Sequence, residues 1–286
     1  MSDVNVYEHE IPNGSKLYFA KSAKLKRKIE QKASEILEDE GFSEIVTPFF
    51  SYHQHLSVDA TNLLRFSDSL NHEISLRADS TVDTVRIVLR RLKANEPKRW
   101  FYIQPVFRYP SQEIYQIGAE LIGENDILKS INIVARLFSE LEIGACLQLS
   151  NMQIPRIICE ILNLEIEIFE NSWLEKILAQ NVPWLSKLAL LKDASELDEI
   201  VNLVPDKLKE ALKNLQNVAK SLEYKNLRIV PLYYSKMRYY DSLFFRFLKD
   251  NSILASGGNY EIDDISSSGF AVYTDALIEE KINLRK

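Results

Sequence analysis

The sequence predicts an α+β fold, in which a mostly antiparallel sheet is flanked by helices and interrupted by a helical insertion. Strand-like patterns occur in two blocks, between residues 42 and 150 and again after residue 226. Between them, residues 155–225 carry consecutive helical patterns and no glycine. Blocks of strands on either side of helices favour an antiparallel sheet. We therefore divide the chain into a first core part, residues 1–154, the insertion, residues 155–225, and a second core part, residues 226–286.

The first long helix is predicted over residues 20–40. Apolar residues recur there at three- and four-residue steps, and Gly41 follows as a helix stop. Residues 21–28 form a basic cluster on the opposite face, followed directly by acidic residues. A solvated helix face explains this pattern more simply than an RNA-binding patch does.

Three further elements are predicted in the first core part. The stretch "GFSEIVTPFF", residues 41–50, predicts a strand that ends at Pro48 or lies at the edge of a sheet. Ile74 and Leu76 alternate as in a strand, and Ser80 is expected to cap the helix that follows.

A hairpin is predicted next, from "RWFYIQPVFRYP" and "IYQIGAELIG". Gln116, Gly118 and Glu120 alternate along its second strand, which places them on one face of the sheet. After the insertion, four more strands are predicted from "LRIVPLYY", "YYDSLFFRFL", "SILASGGNYE" and "GFAVYTDALI".

Composition excludes several classes of protein. The chain has 286 residues, 46% hydrophobic and 27% charged, and a formal net charge of −6, which gives no general reason to expect nucleic acid as a partner. No apolar run approaches the ~20 residues needed to span a membrane. Only two cysteines are present, so we expect free thiols and a cytoplasmic location. His53 and His55 have no third ligand at useful spacing, so neither a metal nor a cofactor is expected.

Polar and aromatic residues in four short segments are candidates for a small-molecule site. The segments are "SLRADST", "FRYPSQEIYQIGAE", "SKMRYYDS" and "ASGGNYE". Asp79 could bind an ammonium group with Thr81 beside it, and the planar fork of Arg108 could hold a carboxylate or phosphate. Taken singly, each of these residues also fits an ordinary surface or core position.

Taken in order, the segments resemble the catalytic domain of class II aminoacyl-tRNA synthetases, and within that class the histidyl-tRNA synthetases. The resemblance runs from about residue 11 to residue 277 and is weakest in the insertion. "GFSEIVTPFF" looks like motif 1, "FRYPSQEIYQIGAELIG" looks like motif 2 and "SSSGFAVYTDALI" looks like motif 3. "YYDSLFF" and "ASGGNYE" are similar to the paired-tyrosine and glycine-rich segments around histidine.

The resemblance implies a histidine pocket in this chain. Its residues would be Asp79, Thr81, Arg108, Gln116, Glu120, Tyr239 and Tyr240, with Gly257, Gly258 and Tyr260 as a glycine-rich wall. Asp79, Thr81 and Gln116 fall where the α-amino group is bound. Glu120 and one of the paired tyrosines fall where the imidazole is held. Arg108 falls on the arginine that contacts the α-phosphate and the carboxylate.

The chain departs from the synthetases where ATP is held. Ala276 stands at the motif 3 arginine, Ser235 at a catalytic arginine and Arg238 at an acidic residue. The motif 2 loop is short, and the chain ends soon after motif 3, so we expect no anticodon-binding domain. The loss of two of three arginines removes roughly several kcal/mol of transition-state stabilisation. Synthetase activity is therefore not expected.

A histidine pocket without an ATP clamp resembles the family of ATP phosphoribosyltransferase regulatory subunits. The resemblance implies a non-catalytic, allosteric subunit for the first step of histidine biosynthesis. Its partners would be a second copy through the motif 1 region, short-form catalytic subunits in a hetero-octamer, and L-histidine as ligand. Two alternatives stay open: a freestanding enzyme that forms histidyl-adenylate, and an RNA-binding protein that uses the basic cluster at residues 21–28.

Overall fold

The computed structural model describes residues 10–92, 98–191 and 193–283, and the first nine residues of the predicted first core part lie outside it. The helices are α1 Ala20–Asp39, α2 Thr81–Ile87, α3 Ile127–Glu140, α4 Gln153–Leu162, α5 Glu167–Glu170, α6 Leu174–Leu178, α7 Pro183–Leu190, α8 Leu197–Ile200, α9 Asp206–Ser221 and α10 Thr274–Asn283. The strands are β1 Ser43–Glu44, β2 Phe50–Ser51, β3 Arg65–Ser67, β4 Glu73–Leu76, β5 Arg99–Arg108, β6 Gln112–Leu121, β7 Cys146–Asn151, β8 Leu227–Ile229, β9 Tyr240–Lys249, β10 Ser252–Ile262 and β11 Ile265–Tyr273.

An eight-stranded sheet organises the described part of the chain. Its order is β1-β5-β6-β11-β10-β9-β7-β8, and a separate three-stranded sheet has the order β2-β4-β3. The pairings from β5 across to β7 are antiparallel, whereas β1 and β8 pair in parallel at the two edges. The predicted α+β fold with a mostly antiparallel sheet is confirmed.

The two faces of the large sheet have different coverings. Apolar side chains of α1, α3, α9 and α10 pack with one face of the central strands and form the main core. The opposite face carries a smaller cluster in which Val82 and Val85 of α2 lie against aromatic residues such as Tyr240 and Phe244. Because this second face is only partly covered by helices, it leaves room for a cavity.

Most predicted elements are confirmed, including the first helix, the hairpin of β5 and β6, and the helices between β7 and β8. The strand predicted over residues 41–50 is confirmed only in part: Ser43 and Glu44 pair as β1 at an edge of the large sheet, and Phe50 pairs in the other sheet as part of β2. The carbonyls of Thr47 and Pro48 accept hydrogen bonds from Arg77 Nη1 at 2.8 and 3.1 Å instead of from a neighbouring strand. Proline also lacks the N–H that a strand ladder needs.

The predicted side-chain cap by Ser80 is wrong. Helix α2 does begin directly after Ser80, but the Ser80 hydroxyl makes no capping hydrogen bond. It accepts from Gln104 Nε2 of β5 at 3.0 Å instead. A contact between distant segments therefore takes the place of the local cap.

No helix among the described residues is long and apolar enough to cross a membrane.

Candidate functional site

A cavity of about 290 Å³ lies on the less covered face of the large sheet. Arg108 of β5, Gln116 of β6 and Arg246 of β9 contribute to its lining. Residues 233–237, which precede β9, form part of its wall. The cavity is large enough for an amino acid, and strands that are distant in sequence supply its polar groups.

One row of side chains crosses the floor of this cavity. The strand register places these residues opposite one another, from β7 across to β5: Gln148, Arg246, Ser256, Ala271, Gly118 and Tyr102. Directly opposed residues in antiparallel strands project from the same face. Arg246, Ser256 and Ala271 of this row line the cavity, and the small side chains of Ser256 and Ala271 leave its floor open beside the arginine. At the other end of the row, the Tyr102 ring fills the space next to Gly118.

Gly118 is required by the position of Tyr102. A Cβ atom at Gly118 would overlap the phenol ring of Tyr102, which is almost fully buried. We expect Gly118→Ala to lower the free energy of unfolding by about 1–3 kcal/mol, because a well-packed interior has no space for the added methyl group. Urea denaturation measures this change.

Gly144→Ala is the matched control, since a Cβ atom there would meet nothing within 4 Å. We expect a change within about 0.5 kcal/mol for the control. Equal effects of the two substitutions would contradict the packing argument.

A buried hydrogen-bond network lies beside the cavity. Tyr239 Oη donates to Asp79 Oδ2 at 3.2 Å and lies 3.4 Å from Thr81 Oγ1. Thr81 Oγ1 is in turn 3.5 Å from the hydroxyl of Tyr102. Tyr102 donates to one oxygen of Glu120 at 3.0 Å, and Tyr260 donates to the other at 2.6 Å. The network thus joins two carboxyl groups through two tyrosines and a threonine, and Tyr260 binds the far oxygen of Glu120.

Burial changes the acidity of these groups. It raises the pKa of Glu120 to about 8, although hydrogen bonds from Tyr260, Thr81 and Tyr102 oppose the shift. Burial also raises the pKa of Asp79, against the attraction of Arg108. The pKa values of Tyr102, Tyr239 and Tyr260 lie well above the usual range because of burial. The tyrosines are therefore donors at neutral pH, and Glu120 keeps its proton to a higher pH than an exposed glutamate does.

Nine of the ten predicted pocket residues are brought to the cavity face of the sheet, in two layers, whereas Gly257 faces Phe245 and Phe270 of the main core on the opposite face. Asp79, Arg108, Gln116, Tyr239 and Tyr240 line the cavity. The others, Thr81, Glu120, Tyr260, Gly257 and Gly258, lie outside that lining. Arg108 is held by a hydrogen bond from its Nε to the Ala78 carbonyl at 3.1 Å.

Glu120 is fully buried, with both carboxylate oxygens occupied by tyrosine hydroxyls. Beneath it, Gly269 leaves the space that the carboxylate fills, because a Cβ atom at Gly269 would overlap Glu120 Oε2. Glu120 thus contacts residues of its own network rather than the cavity.

Gly257 and Gly258 lie within β10, where neighbouring chain segments approach closely. A Cβ atom at Gly258 would lie 2.6 Å from the Leu243 carbonyl oxygen, and one at Gly257 would lie 2.7 Å from the Phe245 ring. Both glycines therefore permit close packing within the sheet, while their neighbour Ser256 lines the cavity.

Several residues around the cavity were not among the predicted site residues: Tyr102, Tyr233, Arg246, Ser256 and Tyr273. The sequence does contain a pattern that indicates the position of Arg246. This arginine stands between Phe245 and Phe247, which are both fully buried on the helix-covered face. Because side chains alternate along a strand, Arg246 projects from the other face.

No cluster of three or more metal-ligating side chains occurs among the residues that the structure describes. His53 and His55 have ring centroids 6.5 Å apart. Cys146 and Cys159 are half-buried free thiols, and burial raises the pKa of each.

Comparisons with known proteins agree on one family. Residues 18–277 match the family described as histidyl-tRNA synthetase. The chain is 47% identical over 279 residues to a protein of Wolinella succinogenes named ATP phosphoribosyltransferase regulatory subunit, with 97% of each chain covered. It is 39% identical over 277 residues to a protein of the same name from Helicobacter hepaticus, covering 96% of this chain and 98% of that one.

The fold has close structural neighbours. A crystal structure from Bacillus halodurans, described as an ATP phosphoribosyltransferase regulatory subunit/histidyl-tRNA synthetase, superposes with a TM-score of 0.84. Sequence identity to that protein is 20%, and the match covers 96% of this chain and 83% of that one. At this identity the likeness supports the fold alone.

Proposed function

Because this chain belongs to the histidyl-tRNA synthetase family, and within it to the ATP phosphoribosyltransferase regulatory subunits, we propose that it regulates the first step of histidine biosynthesis as a non-catalytic subunit. The observation that carries the proposal is the likeness to named regulatory subunits over nearly the whole of both chains. Its partner would be a short-form catalytic subunit, in a hetero-octamer with dimers of this chain.

Co-purification tests the partnership. We expect the tagged chain to retain the short-form catalytic subunit of the same organism, and native mass spectrometry to give the mass of a hetero-octamer. We also expect the catalytic subunit to gain activity in the complex. Failure of the two purified proteins to associate would overturn the proposal.

We propose that the cavity binds L-histidine. Asp79 supports this assignment as an acceptor for the ammonium group, with Gln116 and Tyr239 as further polar groups on the lining. The imidazole would reach Glu120 only if a hydroxyl of Tyr102 or Tyr260 gave up its hydrogen bond, since both carboxylate oxygens are occupied.

Isothermal titration calorimetry tests the ligand. We expect Asp79→Ala to weaken histidine binding at least tenfold, because a charge-assisted hydrogen bond is worth about 1.5–3 kcal/mol. Asp206→Asn is the control, because this aspartate begins α9 and its side chain is 95% exposed. Unchanged affinity for histidine in the Asp79 variant would mean that the histidine site lies elsewhere. The regulatory role would still be tested separately by co-purification.

Amino-acid activation is the alternative function, favoured by the presence of Arg108 and Gln116 in the cavity. The positions where the synthetases carry two further arginines hold Ser235, which is buried, and Ala276, which packs against the core. Neither can neutralise the charge that develops on a phosphoryl group. We expect ATP–pyrophosphate exchange at the background rate, and exchange above it would favour the enzyme.

Self-association is proposed through an exposed apolar face near β2 and β3. The face comprises Val46, Phe49, Phe50 and Phe66, which are 80%, 53%, 56% and 48% exposed. The rings of Phe50 and Phe66 are 6.1 Å apart. Exposed apolar groups such as this aromatic pair mark protein–protein contacts.

We expect Phe50→Asp to convert a dimer into a monomer in sedimentation equilibrium, because a charge would be buried without a partner in the interface. Leu203→Asp serves as the control, since Leu203 is 47% exposed and lies between α8 and α9. A dimer that persists in the Phe50 variant would exclude this face as the contact.

A further inference from the structure

Arg246 is held in a fixed position at one end of the cavity floor. Its Nε donates to Gln148 Oε1 of β7 at 2.8 Å. Its guanidinium lies over the Tyr233 ring, 3.8 Å from the centroid. A stacked and hydrogen-bonded arginine has lost most of its side-chain freedom, so little more is lost when it binds a ligand.

The guanidinium has no carboxylate within 4 Å among the described residues, although it is only partly exposed. Some other arginines of this protein do have such partners: Arg99 pairs with Glu124 at 2.7 Å, and Arg136 pairs with Asp39 at 2.9 Å. A partly buried cation is stabilised by a nearby negative charge. A ligand bound in the cavity can supply that charge.

Other donors surround the same end of the floor. Ser256 is the neighbour of Arg246 in the row, and its hydroxyl lies 3.1 Å from that of Tyr273. Both residues line the cavity. With Nε engaged by Gln148, the two terminal nitrogens of Arg246 and these hydroxyls provide converging donors, which is the donor set that an oxyanion prefers.

Arg246 and Arg108 serve different ends of the cavity. They come from β9 and β5, which are separated by three strands and hence by roughly 19 Å at about 4.8 Å per step. Each side chain spans only part of that distance. One carboxylate can therefore contact one of these arginines, and the other remains available to a second anionic group.

We propose that Arg246, with Ser256 and Tyr273 beside it, binds an oxyanion in this cavity. The oxyanion is either the carboxylate of the amino-acid ligand or a phosphate group that binds in addition to it. The first of these sources rests on the proposed binding of histidine, and the second does not.

Calorimetric titrations of the intact protein with L-histidine, histamine and inorganic pyrophosphate test the proposal. We expect Arg246→Gln to weaken the binding of histidine or of pyrophosphate by about tenfold to a hundredfold. A loss for histidine, with histamine unaffected because it lacks the carboxylate, identifies the carboxylate. A loss for pyrophosphate alone identifies the phosphate. Arg246→Lys, which retains the charge but not the fork, should give an intermediate affinity.

Arg228→Gln is the matched control, because Arg228 lies on the edge strand β8 with its side chain exposed. Arg246→Met keeps an unbranched apolar side chain at this position and replaces the glutamine variant if that one fails to fold. Wild-type affinities for both ligands in the Arg246 variants would overturn the inference and leave the regulatory role intact. Failure of the wild-type protein to bind either ligand would also overturn the proposed oxyanion site. The partnership with the catalytic subunit would still be tested separately by co-purification.

Discussion

Replacing Arg77 with methionine should lower the free energy of unfolding by about 3 kcal/mol. Arg77 is 0% exposed and donates to the carbonyls of Thr47 and Pro48 and, through Nε and Nη2, to that of Pro105 at 3.1 and 2.8 Å. Methionine fills much of the same space but donates nothing. The Thr47 carbonyl would then be buried without this partner, and the Pro48 and Pro105 carbonyls would lose theirs at part-buried positions. A buried acceptor left unpaired costs about 1–3 kcal/mol.

The destabilisation is partly offset, since burial lowers the pKa of Arg77 to about 10 and methionine removes that unfavourable burial of charge. Urea denaturation gives the net value. Arg65→Met provides the comparison, because Arg65 is an exposed arginine whose ion pair with Glu73 has an N–O distance of 3.5 Å. We expect at most about 0.5 kcal/mol for Arg65, and similar losses at both positions would contradict the role of Arg77.

Glu120 should make the protein less stable as the pH rises from about 5 to 9. Burial raises the pKa of Glu120 in the folded protein to about 8 from an ordinary value of 4.5. Between these values the folded protein binds the proton and the unfolded chain does not. The stabilisation is therefore complete below pH 4.5 and is lost as the pH rises through 8. Its size is several kcal/mol, since one pKa unit corresponds to about 1.4 kcal/mol.

Comparison of the wild-type protein with Glu120→Gln isolates this contribution. We expect the stability of the wild type relative to the variant to fall by several kcal/mol, roughly, between pH 5 and pH 9 in urea denaturation. Glu124→Gln is the control: the hydrogen bonds from Arg99 lower the pKa of Glu124, so its contribution is constant over this range. A constant difference for Glu120 as well would show that its pKa is ordinary.

Elements governed by local periodicity could be predicted from the sequence. The apolar repeat of α1 and the alternation of β5 and β6 are properties of consecutive residues. The strand predicted at residues 41–50 is shorter than expected because the carbonyls of Thr47 and Pro48 accept hydrogen bonds from Arg77, a residue about thirty positions away. The helix cap by Ser80 was mispredicted for the same kind of reason, since the Ser80 hydroxyl accepts a hydrogen bond from the distant Gln104.

The candidate site could be predicted only in part. Asp79 and Gln116 carry side chains whose chemistry suggests ligand binding, and the structure places both on the cavity lining. The positions of Tyr102 and Arg246 near the cavity could be recognised only from the register of the strands, which places residues of β5 and β9 in one row. Pairing between strands more than a hundred residues apart is decided by the packing of the whole sheet, and no local pattern encodes it.

The contact between Glu120 and Gly269 restricts the order in which these two positions can change during evolution. The carboxylate occupies the volume that any side chain at residue 269 would need. A lineage that acquires alanine at 269 while glutamate remains at 120 must pass through a strained intermediate. Shortening residue 120 first removes the overlap with the carboxylate, and the Ala119 carbonyl oxygen, 2.8 Å from the added Cβ atom, must then shift as well. We therefore expect the two positions to change together among relatives, with residue 120 changing before residue 269.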